Sequence, residues 1–154
     1  MDKNLHNYRK SYEKGSLTED TVQENPLQQF AAWFLEAENT PAVEEPNAMT
    51  LSTVNGQGIP KARVVLLKEY TSQGFVFYTN YTSGKGQAIA QNNNVCVSFF
   101  WPSLERQIII TGEAVKISEE KSIAYFNKRP RESQLGAVVT VSYTHLTLPT
   151  ILLV

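Results

Sequence analysis

Residues 48–68 read AMTLSTVNGQGIPKARVVLLK, and this stretch decides the fold class. AMTLSTV (48–54) is rich in strand formers and stops at Asn55-Gly56, a turn signal. KARVVLLK (61–68) resumes as a second strand, so the stretch reads as a β-hairpin with its loop at 55–60. Three more strands follow: GFVFYTNY (74–81), VCVSFFW (95–101) and RQIIITGEAVKI (106–117). A short helix at 83–93 separates the third strand from the fourth. Upstream, Asn25-Pro26 supplies an N-cap and a proline at the first helical position. Leu27, Phe30, Ala31, Phe34 and Leu35 then recur at helical spacing, which predicts an amphipathic helix over 26–38. Downstream, Ser118 can cap a helix over 119–128; Pro130 interrupts it or starts another near 131–138. Residues 1–14 read as a short helix or an ordered arm, and 15–25 as a linker. Strands follow one another without regular βαβ alternation, so an antiparallel barrel or sandwich is expected rather than a doubly wound parallel sheet.

The 154 residues suggest one domain, long enough to bury a core. Fourteen Lys and Arg stand against fifteen Asp and Glu, a net charge of −1. That balance gives no whole-chain electrostatic case for nucleic acid or a membrane surface. The single cysteine, Cys96, excludes an intrachain disulfide and a Cys-rich zinc site, and reads as a small core residue. His6 and His145 are isolated, so no metal site is expected. No apolar run approaches the roughly 18 residues of a membrane helix. The start, MDKNLHNYRKSYEK, lacks the apolar core of a signal peptide, and a soluble, cytoplasmic protein is expected. One irregularity stands out: no residue after Glu132 carries a formal charge.

The candidate chemistry is cationic and hydroxylic. Arg63 and Lys68 bracket an apolar strand but differ in parity, so a regular strand turns them to opposite faces. They are either strand-end charges in solvent or ligands to different parts of a bound molecule. Tyr78-Thr79-Asn80 ends a strand, and Ser83 and Lys85 follow at a helix start whose free amides suit a phosphate. The plainer reading is a serine cap beside an exposed lysine. Ser83-Gly84-Lys85 is not a nucleotide phosphate loop: Thr79 stands where the first glycine belongs, and Gly86 follows the lysine. Tyr125, Arg129 and Ser133 recur every four residues and would clamp a phosphate, or else mark a helix terminus. Gln107 offers the donor and acceptor that a flat heterocycle needs. Phe100 and Trp101 read as core. Several phosphate-compatible groups near one small barrel point to phosphorylated ligands.

In order, RVVLLK (63–68), FVFYTNYTSGK (75–85), FFWPSLERQ (99–107) and YFNKRPRESQLGA (125–137) resemble the pyridoxamine 5'-phosphate oxidase family. YRKSYEKGSL (8–17) fits as well. The resemblance implies a mainly β fold with flanking helices: an antiparallel, Greek-key-like, FMN-binding split barrel. It implies a homodimer with FMN at the interface. The implied reaction oxidises pyridoxamine or pyridoxine 5'-phosphate to pyridoxal 5'-phosphate, with O2 as acceptor. Matched by position, Arg63, Val64, Val65, Leu66, Leu67, Lys68, Tyr78, Thr79, Ser83, Lys85 and Gln107 fall on the flavin side. Lys68, Tyr125, Arg129 and Ser133 fall on the substrate-phosphate side, and Arg9, Lys10, Ser11 and Tyr12 on a segment that can cover the substrate.

Two departures are visible. Gly84 stands where the family often has a basic residue, which puts one phosphate contact in doubt. After Val139-Thr140 the chain reads VSYTHLTLPTILLV (141–154), in which the family pattern is not apparent. The expected organisation is therefore an arm and linker (1–25), an incomplete split barrel (26–140) and a foreign or divergent tail (141–154). Weak or absent turnover is expected of this chain, and the family's Arg/His catalytic segment is not found in it. The alternatives are a non-catalytic flavin- or pyridoxal-phosphate-binding module and another split-barrel flavin oxidoreductase.

Overall fold

A computed structural model of the chain describes residues 4–134 and, for the backbone alone, 145–153. Its elements run α1 (Pro26–Glu38), β1 (Ala48–Val54), β2 (Pro60–Thr71), β3 (Gly74–Asn80), α2 (Gly84–Gln91), β4 (Asn94–Trp101), β5 (Arg106–Ala114), α3 (Glu119–Lys128) and β6 (His145–Leu153). All neighbouring strands pair antiparallel. Strands β1 to β5 alone form an open sheet in the order β3-β2-β1-β4-β5. The backbone of β6 pairs with both edges, β3 and β5, so the full order closes as a barrel.

Alternation makes the core. Met49, Leu51 and Thr53 of β1 point inward, as do Val95, Val97, Phe99 and Trp101 of β4. Cys96 lies between two inward valines and therefore faces outward; it is half-buried, not a core residue. Phe100 is likewise turned out, at 57% exposure, whereas Trp101 is buried and donates its indole N–H to the Pro46 carbonyl at 3.1 Å. Helix α1 starts as its sequence dictates, with the Asn25 side chain accepting from the Leu27 amide at 2.8 Å. Its inward face is Phe30, Phe34 and Ala37; Leu35 falls off that face and is exposed. The Phe30 ring meets Phe75, Tyr70 and Phe99 edge-on at 4.8–5.2 Å. Such pairs contribute about 0.5–1.5 kcal/mol each beyond their buried area, so α1 is fastened chiefly through one ring.

The element that positions the site is β2. Leu67 pairs with Phe77 and Glu69 with Val76, so two steps along β2 match one along β3. Lys68 is the extra residue of a β-bulge. Arg63 pairs with the buried Leu51, and Val65 and Leu67 continue that inward face. Beyond the bulge the inward residue is Tyr70. Arg63 and Lys68 thus serve opposite faces.

Residues 4–14 form an arm rather than a helix. The turn into α2 is tight: a Cβ on Gly86 would lie 2.4 Å from the Asn80 carbonyl oxygen and 2.5 Å from that of Tyr81. Gly84, two residues earlier, has open space. Gly86→Ala is expected to destabilise the chain by about 1–3 kcal/mol, the usual range for overpacking, and Gly84→Ala to leave it near wild type. Thermal unfolding of both variants checks this; equal midpoints would contradict it.

Candidate functional site

Two cationic sites meet at β2. On the outer side of the bulge, Lys68, Tyr125, Arg129 and Ser133 line one cavity of about 580 Å³. Tyr78, Thr79 and Lys85 also border it. The sequence logic of α3 explains the convergence. The Ser118 hydroxyl caps the helix by accepting from the Lys121 amide at 3.3 Å. Ser122, Tyr125, Phe126 and Arg129 then form its less exposed stripe at helical spacing. Pro130 ends the helix, and a helical turn at 131–134 brings Ser133 round.

The bend is held by Gln134, whose side-chain amide donates to the carbonyls of Phe126, Asn127 and Arg129 at 3.1, 3.3 and 2.9 Å. Lys121 also reaches Glu69, the residue after the bulge, at 2.7 Å. That pair is substantially exposed and contributes at most about 1 kcal/mol, so the Gln134 contacts matter more. Sequence reading missed Gln134; its position four residues after Pro130 is the only signal. The Tyr78 and Tyr125 rings stack at 3.5 Å and 11° between planes, joining β3 to α3 across the cavity. Burial, then the charge of Glu69 and the neighbouring Tyr125, push the Tyr78 hydroxyl above its ordinary pKa. It is a proton donor at neutral pH.

On the other face, Arg63 donates to the Thr53 hydroxyl at 2.7 Å and the Leu51 carbonyl at 3.3 Å. It borders a second cavity of about 500 Å³ with Lys61, Gly84 and Gln87. Burial lowers the Arg63 pKa; burial and then the Arg63 charge lower that of Lys85. Neither cation has an acidic partner among the described ion pairs. Arg63 on β2 and Lys85 at the start of α2 border different cavities, yet the charge of one acts on the other. With the first-turn amides of α2, which lack intrahelical partners, these two partly desolvated cations favour an anion. The Thr79 hydroxyl is buried without a partner among the described residues, as a group awaiting a ligand would be.

Not every expected residue turns toward a ligand. The Ser83 hydroxyl is spent on the cap, donating to the Asn80 carbonyl at 2.6 Å and accepting from the Gly86 amide at 3.2 Å. Val64, Val65 and Leu66 line the first cavity, but Leu67 is buried in the core. Gln107 lies at the start of β5, in a third cavity of about 370 Å³ that shares no lining residue with the other two. The arm borders that cavity through Tyr12; Lys10 pairs with Glu105 at 3.3 Å. Arg9 and Ser11 are exposed. Within one chain, then, the arm and Gln107 stand together, apart from Lys68, Tyr125, Arg129 and Ser133. Among the described residues no group of three His, Cys, Asp or Glu could hold a metal ion, and no helix is long and apolar enough to cross a membrane.

Comparison with known proteins bears directly on this arrangement. The family model described as pyridoxamine 5'-phosphate oxidase matches residues 35–152, past the point where the family pattern was expected to stop. A pyridoxine/pyridoxamine 5'-phosphate oxidase of Flavobacterium psychrophilum is 57% identical over 138 residues, covering 90% of this chain and 64% of that protein. The chain thus spans a little under two thirds of the length of such relatives. Among solved structures, PhzG from Burkholderia lata superposes with a TM-score of 0.75 at 20% identity, covering 89% of this chain and 82% of its own. A pyridoxamine 5'-phosphate oxidase-related, FMN-binding protein of Nostoc punctiforme gives 0.65 at 16% identity, covering 84% and 83%. The fold is the split barrel of these neighbours. With three quarters of its length matched by the family model, the chain belongs to the pyridoxamine 5'-phosphate oxidase family.

Proposed function

We propose that this chain binds FMN and the phosphate of a B6 vitamer. In this reading it serves the oxidation of pyridoxamine or pyridoxine 5'-phosphate to pyridoxal 5'-phosphate, with O2 as acceptor. The carrying observation is the bulge at Lys68, which sets two cationic sites back to back on one strand. Family membership supports the reading, as do the names of relatives such as the F. psychrophilum oxidase.

The residues fit FMN. Arg63, Lys85 and the first turn of α2 would hold its phosphate, and the unpartnered Thr79 hydroxyl would take a polar atom of the flavin. Bound FMN would supply the redox chemistry, accepting a hydride from the substrate C4' carbon and returning the electrons to O2 to form hydrogen peroxide. The protein's part is binding and orientation. Lys68 and Arg129 neutralise the substrate phosphate, and the Tyr125 and Ser133 hydroxyls complete its hydrogen bonding. Two phosphate anchors on opposite faces of β2 fix the distance between substrate and flavin. A homodimer with FMN at the interface accounts for Gln107 and the arm standing apart from that clamp: the second subunit supplies them. The exposed apolar side chains Val64, Phe100 and Ile109 fit such an interface.

Four outcomes test this. The purified chain is expected to quench FMN fluorescence on titration and to bind pyridoxal 5'-phosphate; binding of neither rejects the reading. Arg129→Ala should weaken pyridoxal 5'-phosphate binding by about 10- to 100-fold, from lost charge-assisted hydrogen bonds, while leaving FMN binding near wild type. Equal loss for both ligands would contradict the division into two sites. FMN affinity should fall as pH rises through the lowered pKa of Lys85, because a bound phosphate needs the protonated amine and binding takes up a proton. A flat alkaline profile would contradict that. Gly84→Arg, in open space beside Arg63, should tighten FMN binding several-fold.

A further inference from the structure

The β4–β5 turn carries a feature that neither proposed phosphate site uses. Glu105 has a φ of 55°, and it is the only non-glycine residue with a positive φ among the described residues. Glycine would hold that left-handed conformation without strain. The turn itself is closed by backbone bonds, Leu104 amide to Trp101 carbonyl at 3.0 Å and Glu105 amide to Pro102 carbonyl at 3.3 Å, which need no glutamate side chain. A strained residue kept at a turn invites a search for what its side chain does.

The carboxylate is fully engaged by the N-terminal arm. One oxygen, Oε2, accepts from the amides of Glu13 and Lys14 at 2.7 and 2.9 Å. The other, Oε1, lies 3.3 Å from the Lys10 ammonium. Lys14 closes the clasp by donating from Nζ to the Ser103 carbonyl at 2.6 Å. The Glu105 side chain is only 7% exposed, although it stands on a surface hairpin. The Lys14 amide chiefly, then the Glu13 amide and Lys10, hold its carboxyl below the usual carboxylate range. Apolar packing contributes little to holding the arm, since Leu5, Tyr8 and Tyr12 are 54%, 70% and 69% exposed.

The fastened arm has a consequence for Gln107. Tyr12, Lys14, Gly15, Ser16 and Leu17 form one wall of the cavity of about 370 Å³ in which Gln107 lies. We infer that Glu105 is a positioning residue: its carboxylate fastens the N-terminal arm across the β4–β5 hairpin and so builds the wall of the Gln107 cavity. The inference rests on Gln107 being a flavin contact. It adds a residue that touches no ligand itself and acts through the arm.

The test compares the full chain with Glu105→Gly and Glu105→Gln by three readouts. These are the thermal midpoint, the rate of trypsin cleavage after Arg9, Lys10 and Lys14, and the FMN dissociation constant from fluorescence quenching. Glu105→Gly relieves the backbone strain, so its midpoint should match or exceed wild type. Its arm should nonetheless be cleaved about tenfold faster or more, and its FMN binding should weaken several-fold. Glu105→Gln keeps an acceptor oxygen for the two amides and should fall between. Unchanged cleavage in Glu105→Gly overturns the latch. Faster cleavage with unchanged FMN affinity overturns its positioning role. A lowered midpoint in both variants, tracking the cleavage rate, reassigns Glu105 to the stability of the turn. Failure of the wild-type chain to bind FMN would reject the flavin reading instead, and the cleavage rates would still decide the latch.

Discussion

In β2, Lys68 has no partner on β3, because Leu67 faces Phe77 and Glu69 already faces Val76. The β2 part of the site follows from that one unpaired residue. Without the bulge, the alternation that buries Val65 and Leu67 would turn Glu69 toward the core in place of Tyr70. The Tyr70 contacts with Phe30 and Phe34 would then be lost, and with them part of what fastens α1. The bulge lets the strand keep an apolar inner face on both sides of Lys68. It also delivers Lys68 to the outer cavity beside Arg129, while Arg63 stays at the opposite face; Lys85 borders the Lys68 cavity and still feels the Arg63 charge. Core packing and the separation of the two cations are set by the same local irregularity.

The α3 end of the site is assembled differently. Nothing in β2 compels Arg129 to stand over Lys68. That placement comes from the Ser118 cap, the Pro130 break and three carbonyls gathered by one Gln134 amide. The stacked pair Tyr78 and Tyr125 then ties the helix to β3. Each tie is small, on the order of 1 kcal/mol, and together they hold a cationic cluster whose Lys68 and Arg129 have no acidic partner among the described ion pairs. Arg63 and Lys85 likewise have no acidic partner among the described ion pairs.

Much of this was legible in the chain. The Asn55-Gly56 turn, the Asn25-Pro26 start and the Ser118 cap each carry a local physical cause, and each element appears where that cause puts it. The parity conflict between Arg63 and Lys68 was readable too, since it needs only the period of a strand. The bulge that makes use of it was not, because a register shift depends on which residue of β3 stands opposite. Cys96, Phe100 and Leu35 were misplaced for a related reason: apolar character does not say which face a residue takes when both faces carry apolar side chains. Glu105 and Gln134 escaped notice because their contacts are made by backbone groups, on which side-chain patterns are silent. The expected tail boundary at 140 falls within residues 135–144, which lie outside the described structure.

The central claim is that one bulged strand carries two phosphate sites on opposite faces. A crystal structure of the chain with FMN and pyridoxal 5'-phosphate both bound tests it most directly. The account predicts the FMN phosphate between Arg63, Lys85 and the first turn of α2, and the vitamer phosphate between Lys68, Tyr125, Arg129 and Ser133. Both phosphates on the same face of β2, or the two ligands exchanged between the sites, would contradict it.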